Sequence, residues 1–161
     1  MTLSDILSKE RVRVMTGAAP LPTKDAVLRA LAELLGTASE TPQQVGAAGL
    51  YRVLYDRETL QSTGIGDGVA IPHGSVEGLT GPVAAVLVCP DGVSFDAIDG
   101  RPVRILFAVV GPKRATGEHL KTLARISRLL RDSAFRDKLL MATTPDEAFA
   151  LIRSAEEGRS A

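Results

Sequence analysis

Apolar and polar positions change period several times along this chain, and each change marks an element. Residues 3–14 read as a short opening element around Leu3, Ile6 and Leu7. "TGAAPLPT" then breaks order with Gly17, Pro20 and Pro22. Thr23 predicts a cap for a helix through "KDAVLRALAELLG". Its Val27, Leu28, Leu31, Leu34 and Leu35 recur at helical spacing, and Gly36 suits the stop. A second helix is predicted behind Thr41, with Pro42 in the first position and Gln44 closing a capping box, and ends near Asp56 and Arg57. Val69, Ala70 and Ile71 make a very short apolar strand that Pro72 stops.

"PVAAVLVC" and "RPVRILFAVVG" carry no polar alternation, so they predict strands buried on both faces. Between them "PDGVSFDAIDG" predicts two turns, Asp91-Gly92 and Asp99-Gly100, around a short edge strand. "TGEHLKTLARISRLLRD" predicts an amphipathic helix capped by Thr116, with Leu120, Leu123, Ile126 and Leu130 inward. A shorter helix over 134–141 follows. Thr144, Pro145 and Glu147 open a last one, whose tail "EEGRSA" is expected to fray. Helices toward both ends and buried strands between them predict an α/β fold, read as a single domain over 1–161.

Composition narrows the function. With 45% apolar and 24% charged residues among 161, a disordered chain is excluded. Nineteen acidic and nineteen basic side chains cancel, which argues against a nucleic-acid partner held by a basic surface. Four Phe, two Tyr and no Trp also speak against stacking on bases. The single Cys89 makes neither an intrachain disulfide nor a thiolate zinc site, which suits a reducing interior. No apolar run approaches the roughly 20 residues that span a bilayer, and the N-terminus lacks a secretory pattern. A soluble cytoplasmic protein without membrane insertion is expected.

The chemistry concentrates in "RETLQSTGIGDGVAIPHG", Arg57 to Gly74. Gly64, Gly66 and Gly68 alternate, but neither dinucleotide nor P-loop spacing is present. Two readings stay open. In one, glycines serve backbone conformation and His73 is an ordinary loop residue. In the other, His73 is a nucleophile, since a neutral imidazole nitrogen accepts a phosphoryl group. Pro72 would then fix the backbone ahead of it, and Gly74 would ease the approach of another protein. Ser62, Thr63, Gly64 and Gly66 would offer donors to phosphate oxygens, and Arg57 a cation. His119, predicted in the first turn of its helix, is held neutral by the helix dipole and could donate to a phosphoryl group on His73. Spacing alone equally allows an exposed helix start.

These motifs closely resemble IIA components of the bacterial phosphotransferase system, fructose/mannitol class, nearest the nitrogen-regulatory branch. The resemblance rests on Arg57-Glu58, Ser62 to Gly66, Ala70 to His73 and "GEHLKTLARISRLLRD", with "FDAIDGRPVRILFAVVGP" supporting it. It covers most of 23–153. It implies a three-layer α/β/α sandwich with a mixed, mainly parallel sheet, and the two histidines converging at one end of it. It places the phosphorylated histidine on His73, the second active-site histidine on His119 and the nearby arginine on Arg57. It implies a histidine-containing phosphocarrier protein as donor and either regulatory target proteins or a IIB component as partner. No metal and no cofactor are needed. Val69 and Ile71 are candidates for the docking face and equally for the core.

Overall fold

Strands with no polar face need cover on both sides, and that need organises the molecule. The computed structural model describes residues 2–15 and 23–160. The expected break at Gly17, Pro20 and Pro22 lies outside the described residues. In chain order the elements are α1 (Leu3–Ile6), a 3-10 turn at Lys9–Arg11, β1 (Val12–Val14), α2 (Lys24–Gly36), α3 (Gly46–Leu60), β2 (Gly64–Gly66), β3 (Val69–Ala70) and β4 (His73–Val76). Then come β5 (Val83–Val93), β6 (Val103–Pro112), α4 (Thr116–Arg131), α5 (Ser133–Leu140) and α6 (Pro145–Ser160).

The six strands form one mixed sheet in the order β1-β5-β6-β3-β2, with β4 also on β6. Three pairings are parallel, β1–β5, β3–β6 and β4–β6, while β2–β3 and the long β5–β6 pair are antiparallel. Along β5 and β6 the pleat sends alternate side chains to opposite faces. Ala85, Leu87, Leu106, Ala108 and Val110 join the α2 and α3 side, with Leu31, Leu35, Leu50 and Leu54. Ala84, Val86, Ile105, Phe107 and Val109 join the other side, with Leu3 and Ile6 of α1, Ile126 and Leu129 of α4, Leu139 of α5 and Ile152 of α6. Each large side chain so buried stabilises the fold by about 1.5–3 kcal/mol. The result is the expected three-layer α/β/α arrangement.

Several local expectations give way to tertiary demands. The Thr41 hydroxyl donates to the carbonyl of Leu35 at 3.0 Å, closing the end of α2 instead of opening α3. Residues 42–45 turn first, with Val45 and Gly46 N–H groups on the Pro42 carbonyl, so α3 starts at Gly46 and runs past Arg57 to Leu60. Asp91-Gly92 is not a turn but lies within β5, at an irregularity where Gly92 takes φ +82 and a Cβ would meet Pro102 at 2.8 Å. No edge strand forms after it; Phe95 instead plugs the core, 1% exposed. Thr116 does not cap α4; Ala115 holds the cap position, and the Thr116 hydroxyl donates to Lys113 O. α6 extends to Ser160, across most of the tail expected to fray. The inward stripe of α4 begins one residue earlier than predicted: His119, Leu123, Ile126 and Leu130 face the sheet, and Leu120 is 61% exposed.

Candidate active site

β3 and β4 are two pieces of one run along β6; β2 covers β3, whereas β4 has only β6 as a strand partner among the described residues. Val69 pairs with Ile105 and His73 with Val109, an unbroken register on β6. Pro72 interrupts the ladder because it has no N–H, yet its carbonyl still accepts from Val109 N at 3.0 Å. His73 is therefore the first residue after a rigid step. Its Nδ1 lies 2.7 Å from the carbonyl oxygen of Ile71. A carbonyl only accepts, so Nδ1 carries the proton, and in the neutral ring the lone pair sits on Nε2. The ring is half-buried. Burial is the main cause holding its pKa below the ordinary 6.5; the Ile71 bond opposes this, Arg57 assists and Glu58 opposes.

His119 enters from the first turn of α4, where the helix dipole disfavours a proton. Its ring is 5.9 Å from that of His73, centroid to centroid, at 49°. Gly111 makes the room, since a Cβ there would come within 3.0 Å of His119 Nδ1. His119 is only 9% exposed, and among the described residues neither ring nitrogen has a hydrogen-bond partner. Burial, then the neighbouring His73, hold its pKa below 6.5. On its other flank His119 walls a cleft of about 310 Å³ between α1 and α4.

Arg57, in the last turn of α3, donates from Nη1 to Gln61 O at 2.7 Å. Thr63 O accepts from Ile71 N, and Gly64 pairs with Ala70. Arg57 lies near enough to His73 for its positive charge to help hold the imidazole pKa down. Only one of its five donors is used by Gln61.

Residues 5–155 match the family described as "Phosphoenolpyruvate-dependent sugar phosphotransferase system, EIIA 2". The chain belongs to this family. A "Nitrogen regulatory protein" of Pseudomonas aeruginosa is 38% identical over 140 residues, covering 87% of this chain and 89% of that protein. A "PTS system fructose-specific EIIA component" of Haloferax volcanii is 30% identical over 142 residues, covering 88% and 90%. The crystal structure of nitrogen regulatory protein IIA-Ntr from Neisseria meningitidis matches the fold with a TM-score of 0.82 at 30% identity, over 93% of this chain and 98% of that one.

Within this EIIA fold the other expected site residues are placed differently. The Ser62 hydroxyl donates to Phe95 O and accepts from Gly64 N, so both Ser62 and the Gly64 N–H are engaged inside the loop. Thr63 donates its hydroxyl and its N–H to Glu58 Oε1. Gly66 sits in the β2–β3 turn at φ +97. That turn lies against Arg104, whose N–H reaches Gly68 O. Five strand residues to Val109 put it about 16 Å from His73. The hydroxyls of Ser62 and Thr63 and the N–H groups of Thr63 and Gly64 are thus engaged within the loop. Gly74 does not face a visitor either: a Cβ there would meet Val53 Cγ1 at 2.3 Å, so Gly74 lets α3 lie across β4. Val69 and Ile71 are 1% and 6% exposed and belong to the core. The apolar side chains that do reach the surface near the pair are Leu120, after His119, and Leu60, beside Gln61, 61% and 81% exposed. Sequence reasoning assigned no role to Glu58 or Lys24. The signal was present, because Glu58 continues the buried stripe Leu50, Leu54 of α3, where a carboxylate needs a reason. Among the described residues no helix is long and apolar enough to cross a membrane.

Proposed function

We propose that His73 accepts a phosphoryl group on Nε2 from a phosphohistidine of a phosphocarrier protein, and that the charge state so created regulates partner binding. The observation that carries this reading is the ring pair: a half-buried imidazole whose Nδ1 is bonded to the Ile71 carbonyl, leaving the Nε2 lone pair, 5.9 Å from a second, buried imidazole. The Nε2 lone pair attacks phosphorus in line. The N–P bond forms as the donor's N–P bond breaks, and that electron pair returns to the donor imidazole. His73 keeps its Nδ1 proton throughout, so no proton needs to move. The phosphoryl oxygens then find one N–H of His119 and the spare donors of Arg57 within hydrogen-bond reach of about 3 Å. Leu60 and Leu120 supply the apolar centre of a small, transient docking face.

The nitrogen-regulatory name of the Pseudomonas aeruginosa relative supports a regulatory output over sugar uptake. A phosphoryl dianion at the docking face changes which surfaces fit it. The fructose-specific relative supports a second reading, in which the group passes on to a IIB component. The test is incubation with phosphoenolpyruvate, the first-stage phosphotransferase enzyme and its carrier, followed by mapping of acid-labile phosphate. Label on His73 is expected. An acid-stable product, or label elsewhere, overturns the assignment. Discharge of the label onto a fructose-type IIB protein would decide for the transport reading.

A further inference from the structure

We infer that Glu58 is the positioning residue for His73, clamping the imidazole through Thr63 and Ile71. This rests on the reading of His73 Nε2 as the phosphoryl acceptor. Glu58 is 8% exposed at the inner edge of α3. One carboxylate oxygen accepts from the N–H of Thr63 at 3.0 Å and from its hydroxyl. The other lies 2.7 Å from Lys24 Nζ, which stands 4.7 Å over the Phe95 ring. The Thr63 carbonyl accepts from Ile71 N at 3.0 Å. The Ile71 carbonyl accepts from His73 Nδ1 at 2.7 Å. The chain Lys24–Glu58–Thr63–Ile71–His73 is thus continuous.

The path is mechanical and not conjugated. At Thr63 and again at Ile71 the two bonds belong to different peptide units joined through Cα. Glu58 therefore does not relay a proton or an electron pair. It fixes where Thr63 sits, Thr63 fixes Ile71, and Ile71 holds the ring and its tautomer. Burying a carboxylate with an ammonium partner is expensive and gives little net stability, so the pair needs another reason to be there. Holding a nucleophile to within a fraction of an ångström is such a reason, since misplacement by about 1 Å costs up to a hundredfold in rate.

The experiment replaces the pair by apolar groups of similar size, Lys24→Met with Glu58→Leu, which removes the clamp without stranding a charge. Two readouts are taken on the full chain: ¹⁵N–¹H correlation spectra of the imidazoles, which report the tautomer without any donor protein, and the rate of phosphoryl transfer from the carrier. The double variant should raise the minor His73 tautomer severalfold and slow transfer about tenfold or more. Glu58→Gln, which keeps an acceptor for Thr63, should recover most of both. Parental spectra and rate in the double variant would overturn the inference. Should that variant fail to fold, Thr63→Val removes the hydroxyl leg alone and must move the same signal by about twofold; an unmoved signal there also overturns it. If the unaltered protein takes up no phosphoryl group at all, the acceptor reading falls, while the tautomer comparison still judges the clamp.

Discussion

The edge strand that presents His73 and the helix turn that presents His119 put chemically identical rings 5.9 Å apart in opposite circumstances. His73 is half-buried, pinned through Nδ1, and backed by a chain of contacts reaching to the buried carboxylate of Glu58 and its partly exposed Lys24 partner. His119 is buried, packed over Gly111 at the wall of a cleft, and its ring has no hydrogen-bond partner among the described residues. One ring is prepared to donate a lone pair and must not rotate. In the proposed function the other donates to the phosphoryl group, and packing over Gly111 holds it in place. Burial keeps both uncharged near neutral pH, which gives one a nucleophilic nitrogen and the other a nitrogen able to donate to an anion.

The sharpest way to break this contrast is to exchange the consequences of losing each ring. His73→Ala should reduce phosphoryl uptake from the carrier to background, read as acid-labile label. Label still arriving on histidine would mean the acceptor has been misassigned. His119→Ala should leave an acceptor in place but slow transfer by about a hundredfold, the usual loss when one aimed donor to a charged intermediate is removed. It should still fold cooperatively, with a loss of about 0.5–3 kcal/mol from the packing of the ring over Gly111. Unchanged single-turnover kinetics would reduce His119 to packing.

A smaller effect tests the scaffold behind His73. Gly74→Ala forces a methyl against the stiff Val53 side chain, and overpacking of this kind costs about 1–3 kcal/mol. Adding Val53→Ala should restore most of the loss in chemical denaturation. Failure of that rescue would mean α3 does not rest on β4 as described.

The smallest effect is on pH dependence. Both imidazoles are held below 6.5 in the folded chain, so just below that pH the unfolded chain binds more protons. Stability therefore falls as pH drops below 6.5, and is fully present above it. The melting temperature should decline between pH 7.5 and 5.5, and His119→Ala should flatten that decline. An equal slope in the variant would show that His119 is not held neutral by its site.

Much of the fold was legible because burial on both faces leaves a mark in local sequence. The uninterrupted apolar runs of β5 and β6 and the periodic stripe of α2 announce themselves from any window of a dozen residues. The loop was legible too, through Pro72 and the alternating glycines. Caps were read less well. Thr41 has the spacing of an N-terminal cap, but its hydroxyl is taken by a carbonyl of the preceding helix. Local hydrogen-bonding preference is worth about 1 kcal/mol, and a nearby partner of equal strength redirects it. Leu120 looked inward for a similar reason. Helical periodicity allows a shift of one residue, and only contact with Gly111 shows that His119 takes the inward place.

The sequence by itself determined most of the helices and the two long buried strands, and it marked His73, His119 and Arg57 as candidates, because residue type and short-range spacing encode both. Tertiary structure alone decided the 5.9 Å approach of rings 46 positions apart, and the engagement of Ser62 and Thr63 inside the loop. It also decided that Gly74 serves α3 and not a visitor. Distance between segments is set by how the sheet and its helices pack, and no local pattern of side chains contains it.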